Sequence, residues 1–257
     1  MISGVIESGA LKAKEIIGAD ISPEKLRKMR EKYGIRTSAD NTETAKASQI
    51  LVLAVKPQHY SQTIEEIKNF VGIEQIILTI APGITLDWAE SRFGKQIKII
   101  RAMPNTPAFA GEGMTAVCGN KEVTPQDMEK VVHYLSTFGR VEEIKENLMD
   151  AVTAVSGSAP AYVFLFIEAL ADGAVSEGMP RGQAYRFAAQ AVLGSAKMVL
   201  QSGKHPGVLK DQVCSPAGTT IEAVRVLEKM GLRTAVIEAV KSCALKSKHM
   251  DKKDKPT

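Results

Sequence analysis

The sequence predicts an α/β fold in which a doubly wound parallel sheet is followed by an all-α domain. Up to about residue 147, short β-branched runs alternate with amphipathic segments, which is typical of strand–helix–strand units. Beyond that point helical periodicity replaces the strand pattern. We therefore expect a sheet domain at 1–146, a helical domain at 147–250 and a flexible lysine-rich tail at 251–257.

Several segments of the sheet domain have the composition of strands. They are Glu15–Asp20, Ile35–Ser38, Gln49–Lys56, Gln75–Ala81 and Lys98–Met103, with a weaker pair at Met114–Gly119 and Gly139–Ile144. The third run is apolar throughout, as expected of a parallel strand covered on both faces. Helical patterns lie between the strands, at Gln58–Phe70, Leu86–Phe93 and Pro125–Thr137 and after the Ser22-Pro23-Glu24 start signal.

The order of the first elements is unusual for a nucleotide-binding sheet. Such a sheet opens with a strand, a glycine-rich turn and a helix that holds the pyrophosphate. Here the first recognisable strand is Glu15–Asp20, and Met1–Gly9 has the pattern of the second half of a helix. We therefore expect the first, central strand and its glycine turn to be missing. The alternative is a fold that simply starts with the strand at residue 15.

The helical domain is punctuated by glycine and proline between its predicted helices. Helical periodicity covers Asn147–Val155, Ala161–Gly178, Arg181–Gln201 and Thr219–Met230. Residues 161–173 are apolar nearly all round, more than a surface helix of one chain needs. Burial against a second subunit explains this composition.

The composition excludes several classes of protein. Lysine plus arginine exceeds aspartate plus glutamate by 33 − 29 = 4 charges, and the last twelve residues carry most of this excess, so we expect no nucleic-acid partner. The apolar run Ala159–Ile167 is about half as long as a membrane-spanning helix, so we expect no membrane partner. Three scattered cysteines predict reduced thiols in a cytoplasmic protein, and the four histidines share no metal-ligand spacing.

Two segments at predicted strand ends carry residues that suit a ligand site. Ala54–Pro57 leaves a strand at the carboxyl edge of the sheet, where ligands bind in open α/β folds. Lys56 would face a phosphate or a carboxylate there, although a solvated lysine is the simpler interpretation. Arg101–Pro107 leaves another strand as a rigid, two-proline turn that presents Asn105 and Thr106, unless the turn is purely structural.

Two further segments lie in the helical domain. Ser156–Tyr162 breaks two helices with small residues, which allows close approach of a ligand or of another helix. Ser215–Ile221 runs directly into a helix, and its free amides, two hydroxyls and Gly218 suit a small anion. The alternative for this last segment is ordinary capping by Thr219 or Thr220.

Together, the LAVKPQ, RAMPNTPA, SGSAPAY and SPAGTT stretches resemble the pyrroline-5-carboxylate reductases in order and spacing, over nearly the whole chain. This resemblance implies a Rossmann-like domain that binds NADH or NADPH, and an all-α dimerisation domain that intertwines with a second subunit. It also implies a homodimer or a higher oligomer, up to a decamer. By the same resemblance, the active site lies between the carboxyl edge of the sheet and the helical domain, with part supplied by the partner subunit.

The resemblance also implies which residues form the site. The dinucleotide would be lined by Asn41, Ala54, Val55, Lys56, Pro57, Ile80, Ala81 and Pro82, and the substrate by Gln212, Thr219 and Thr220. We add Asn105 on the cofactor side, and Gly218 and Lys56 on the substrate side. The resemblance departs at two positions: many relatives have alanine at Pro82, and glycine is more usual at Ala217.

The choice between the two dinucleotides stays open. Asp20 ends a predicted strand, where an acid bonds the ribose 2′-hydroxyl and favours NADH. Ser22 lies nearby and suits the 2′-phosphate of NADPH instead. Both residues are therefore predicted to bind the cofactor without deciding which one is used.

These features predict reduction of L-1-pyrroline-5-carboxylate to L-proline by hydride transfer, the last step of proline biosynthesis. The amides of Gly218–Thr220 and the helix dipole would hold the carboxylate, and the catalytic Thr220 hydroxyl would bond the ring nitrogen. One alternative is a related reductase of another imine or of a 2-hydroxy acid. A hydroxy-acid enzyme is expected to carry a lysine on the first long helix, and Ala161–Gly178 has none. The other alternative is an inactive, dimerising homologue.

Overall fold

The structure, a computed structural model, describes residues 1–250 and falls into two compact units. Unit 1 is Met1–Ser158 together with the chain from Cys243 onward, and unit 2 is Ala159–Ser242. The sequence-based boundary at 146/147 stays a prediction. The predicted tail at 251–257 lies outside the described residues.

Unit 1 alternates strands with helices. Its strands are β1 (Ile17–Ala19), β2 (Arg36–Ser38), β3 (Ile50–Leu53), β4 (Ile76–Thr79), β5 (Lys98–Met103), β6 (Gly113–Gly119) and β7 (Gly139–Glu143). Its helices are α1 (Ile2–Glu7), α2 (Pro23–Tyr33), α3 (Asn41–Ala47), α4 (Tyr60–Ile67), α5 (Leu86–Phe93), α6 (Pro125–Leu135) and α7 (Met149–Val152). Short 3-10 helices lie at Ala13–Glu15, Pro57–His59, Thr106–Ala110, Ser136–Phe138 and Glu146–Leu148, and a π-helix follows α7 at Thr153–Gly157.

The remaining helices follow in chain order. They are α8 (Ala159–Ser176), α9 (Arg181–Ser202), α10 (Pro206–Val213), α11 (Thr219–Lys229) and α12 (Leu232–Met250). The predicted all-α character of this part of the chain is confirmed. The end of α12 belongs to unit 1, where Ser247 Oγ donates to Asp150 Oδ1 at 2.6 Å.

The strands form two sheets. β1 pairs in parallel with β2, and the second sheet has the order β3-β4-β5-β6-β7. Its pairs are parallel except β5–β6, which is antiparallel because the short connection 104–112 cannot hold a crossover helix. Within residues 1–250 no strand joins β1 to β3, and a missing central strand stays a prediction.

Hydrophobic clusters cover both faces of the five-stranded sheet. Along β4, Ile77 packs into one cluster with Ile99, while Ile76 and Leu78 pack into the other with Ile100. All of these side chains are buried. β4 is therefore covered on both faces. The prediction for the run Gln49–Lys56 is wrong, because in β3 Leu51 and Leu53 are buried but Val52, which points to the opposite face, is 38% exposed.

Unit 2 buries little of its own apolar surface. Its core cluster of buried residues consists of Ala171, Ala184 and Ala188. Large side chains on α8 are exposed instead, including Phe164 at 64% and Leu165 at 68%. The continuous helical stretch Glu146–Ser176 is, by length and composition alone, also apolar enough to cross a membrane. An exposed apolar helix in a single chain is also typical of a surface that packs against a second subunit.

Candidate active site

The carboxyl ends of β3 and β4 bring two of the predicted cofactor segments to one edge of the sheet. Ala54–Pro57 follows β3, and Ile80–Pro82 follows the neighbouring β4. Lys56 is exposed, and within the described residues its side chain makes no hydrogen bond or ion pair. This ammonium is therefore available to a phosphate or a carboxylate.

Tyr60, which the sequence analysis did not single out, connects these two segments. Its side chain is fully buried at the start of α4. Tyr60 Oη donates to the Leu53 carbonyl at 2.5 Å and accepts from the Ile80 amide at 3.2 Å. Burial raises the pKa of Tyr60 to about 12, so the phenol keeps its proton and its donor role. The sequence alone does not distinguish this tyrosine from an ordinary core residue.

Asn105 connects two further motifs. Its Oδ1 accepts from the Met114 amide at 2.9 Å, and its Nδ2 donates to the carbonyl and to Oγ of Ser156, both at 3.2 Å. The turn after β5 is thus joined to the π-helix that contains Ser156, and π-helical turns are frequent at functional sites. Both polar atoms of the Asn105 side chain are engaged within unit 1. Its predicted contact with the cofactor stays a prediction.

The residues predicted to recognise the adenosine ribose lie beside the two-stranded sheet. Asp20 follows β1, where Oδ1 accepts from the Ser22 amide at 2.8 Å and Oδ2 lies 3.3 Å from Lys25 Nζ. Ser22 also caps α2 as predicted, accepting from the Lys25 amide. Asn41 begins α3 and donates from Nδ2 to Glu66 Oε2 at 3.0 Å.

This set of donors and acceptors fits a nicotinamide dinucleotide. The Asp20 carboxylate suits ribose hydroxyls, while the Lys25 ammonium and the Ser22 hydroxyl beside it suit a 2′-phosphate. Lys56 supplies a second, exposed positive charge. A strand followed by a glycine-rich turn and a helix is not found among residues 1–250.

In unit 2, the predicted substrate segment lies at the start of α11. Gly218 is the N-cap residue and no side chain caps the helix, so the interpretation of ordinary capping by Thr219 or Thr220 is wrong. The first-turn amides are left without helical partners. Within the described residues, the hydroxyls of both threonines make no hydrogen bond. Gln212 is exposed in the last turn of α10.

The loop that leads into α11 is tightly shaped. Ala217 has a φ of +55°, and it is the one non-glycine residue with positive φ in the described chain. The Gly218 amide donates to the Ser215 carbonyl at 3.0 Å. A Cβ on Gly218 would overlap Ser215 Oγ and lie 3.2 Å from the Ser215 carbonyl oxygen. The arrangement of unpaired amides and free hydroxyls suits a small carboxylate.

Comparison with known proteins gives consistent results for both parts of the chain. Residues 146–250 match the family model described as pyrroline-5-carboxylate reductase dimerisation, and residues 1–83 match NADP oxidoreductase coenzyme F420-dependent. The pyrroline-5-carboxylate reductase of Escherichia coli is 49% identical over 252 residues, which cover 98% of this chain and 94% of that protein.

Solved structures show the same similarity. A pyrroline-5-carboxylate reductase from Coxiella burnetii aligns with a TM-score of 0.90 at 32% identity, covering 97% of this chain and 93% of that one. The Plasmodium falciparum pyrroline carboxylate reductase, solved with NADP bound, aligns with a TM-score of 0.87 at 32% identity, covering 96% and 92%. The predicted family and α/β-plus-helical fold are confirmed: this chain belongs to the pyrroline-5-carboxylate reductase family.

Proposed function

We propose that this chain reduces L-1-pyrroline-5-carboxylate to L-proline with NADH or NADPH, the last step of proline biosynthesis. The observation that carries the proposal is the uncapped start of α11, where Thr219 and Thr220 place free hydroxyls beside unpaired amides. Membership of the reductase family supports it. The substrate is a five-membered cyclic imine with one carboxylate, so it needs an anion site and a partner for its nitrogen.

The start of α11 supplies both requirements. The amides of Thr219 and Thr220 and the positive end of the helix dipole bind the carboxylate, and Gly218, whose own amide donates to the Ser215 carbonyl, lines the site. The Thr220 hydroxyl, in the first turn of the helix, accepts a hydrogen bond from the protonated ring nitrogen. This bond favours the iminium over the neutral imine, and the iminium carbon accepts hydride more readily. The imine is itself basic and takes its proton from solvent, so the proposal needs no histidine or carboxylate as a general acid.

NADH or NADPH, when bound, supplies the hydride to the iminium carbon; the C=N electron pair becomes the amine lone pair of proline. Asp20 and Ser22 hold the adenosine ribose, and the Lys25 ammonium accommodates a 2′-phosphate. The Lys56 ammonium neutralises a cofactor phosphate or the substrate carboxylate. Asn41, Ala54–Pro57, Ile80–Pro82 and Asn105 are proposed to position the dinucleotide, and Gln212 to line the substrate.

The chain acts as a homo-oligomer, in line with its match to a dimerisation family. The exposed apolar residues of α8 would be covered by the second subunit. We propose a dimer as the basic unit, with assembly up to a decamer, and a cytoplasmic location.

The test is oxidation of NADH and of NADPH with and without pyrroline-5-carboxylate, on an oligomer whose size has been measured. We expect oxidation that depends on the substrate. Thr220→Ala should lower kcat/KM by roughly ten- to a thousandfold, or about 1–4 kcal/mol, whereas Thr220→Ser keeps the hydroxyl and should retain most activity. Unchanged kcat/KM in Thr220→Ala would refute the role of this residue. A folded dimer that binds dinucleotide but never oxidises it with this substrate would refute the proposed reaction, and one that binds no dinucleotide would favour an inactive homologue.

A further inference from the structure

The hydrogen-bond ladder between β3 and β4 is interrupted at its carboxyl end. The two strands pair in parallel from Ile50↔Ile76 to Leu53↔Thr79. At the start of the pair, the Ile76 amide donates directly to the Gln49 carbonyl at 3.0 Å. In a parallel ladder such bonds recur at every second residue. The rung that falls at the end of the pair would therefore join the Ile80 amide to the Leu53 carbonyl.

The Tyr60 hydroxyl occupies this rung. The Ile80 amide donates to Tyr60 Oη at 3.2 Å, and Tyr60 Oη donates to the Leu53 carbonyl at 2.5 Å. The strand ends are thus bridged through an intervening oxygen atom instead of bonding directly. Both backbone groups are satisfied by a side chain that is itself fully buried. Direct pairing of the two strands ends at Leu53↔Thr79, and each strand continues into a segment proposed to line the dinucleotide.

We propose that Tyr60 is a positioning residue for the dinucleotide site, because its phenol sets the separation between Ala54–Pro57 and Ile80–Pro82. The proposal rests on the proposed function, since it assumes that these two segments hold the cofactor. Tyr60 does not touch the reacting atoms. It acts through the backbone of the two strands, so its removal should weaken dinucleotide binding more than it changes turnover at saturation.

The first experiment compares Tyr60→Phe with Ile64→Val. Ile64 lies one turn further along α4 and is equally buried, so its truncation controls for a general loss of packing. We expect the Kd for NADPH, measured by fluorescence titration, to rise at least tenfold in Tyr60→Phe and less than twofold in Ile64→Val. The KM for NADPH should follow the Kd while kcat changes less than threefold. Equal Kd values for Tyr60→Phe and wild type, or equal increases in both variants, would overturn the proposal.

A second measurement needs no cofactor and separates this proposal from the proposed function. Hydrogen exchange of the Ile80 amide, followed by NMR in the unliganded protein, reports on the rung directly. The rate should rise at least tenfold in Tyr60→Phe and stay near the wild-type rate in Ile64→Val. Unchanged exchange in Tyr60→Phe would overturn the role of Tyr60 even in an active enzyme. A wild-type protein that binds no NADPH would instead refute the proposed function, while faster exchange in Tyr60→Phe would still support the bridge.

Discussion

Ala217 holds its backbone in the left-handed region, at φ +55°. The Cβ of an L-residue in that conformation costs roughly 1–2 kcal/mol, and glycine does not incur this cost. Glycine also raises the entropy of the unfolded chain, which offsets about 0.4–1 kcal/mol of the gain. We therefore expect Ala217→Gly to raise the free energy of unfolding by up to about 1.5 kcal/mol.

Thermal unfolding at a fixed protein concentration measures the effect, because the stability of an oligomer depends on concentration. In a chain of this size, 1 kcal/mol corresponds to a shift of roughly 2–4 °C in Tm. The matched control is Ala196→Gly in the interior of α9, where alanine is exposed in the single chain and its replacement by glycine costs about 0.5–1 kcal/mol. Opposite signs for the two variants are expected. Destabilisation of Ala217→Gly by as much as the control would refute the reasoning.

Three further predictions concern other parts of the chain. Burial raises the pKa of Asp127, but hydrogen bonds from Thr124 and the charge of Lys98 outweigh it and keep this pKa below its usual value. The ionised carboxylate therefore stabilises the folded state above about pH 4, and this stabilisation is lost as the pH falls further. Between about pH 6 and about pH 3, the Tm of Asp127→Asn should fall by less than the Tm of the wild type. Equal decreases in Tm would contradict this prediction. Burial raises the pKa of the Cys118 thiol to about 12. At about pH 8, mass spectrometry should therefore find Cys118 alkylated only after the protein is unfolded in urea. Alkylation of Cys118 in the native protein would contradict this prediction. Phe164→Asp, on the exposed face of α8, should dissociate the oligomer in sedimentation experiments, and an intact oligomer would argue against α8 as the interface.

The sequence predicts best those elements whose ends carry local signals. The bounds of α5 agree with the prediction because Thr85 caps the helix and Gly94 ends it at φ +64°. By contrast, α3 was not predicted, since its seven polar and small residues show no apolar period. It forms because Asp40 caps it, accepting from the Thr42 amide at 2.7 Å, and because Thr44 and Ala45 are buried against neighbouring elements.

Long-range contacts explain most of the remaining differences. The apolar run Gln49–Lys56 predicts a strand of eight residues, whereas β3 ends at Leu53. The ladder stops there because the Tyr60 hydroxyl takes the next rung, and no local pattern reveals that contact. At α11 the sequence left anion binding and threonine capping open. Backbone geometry contradicts threonine capping, since Gly218 is the N-cap, while anion binding stays a prediction.

The helical unit shows why stability and assembly must be considered together. Three alanines form its buried cluster, and alanine contributes little apolar area on burial. Phenylalanine and leucine side chains of α8 stay exposed in the single chain, as do those of α9 such as Phe187. A unit with so small a core gains most of its hydrophobic stabilisation only when a partner covers these side chains. Substitutions at such positions therefore resemble core substitutions in their energetic effect, although the residues lie on the surface of one subunit.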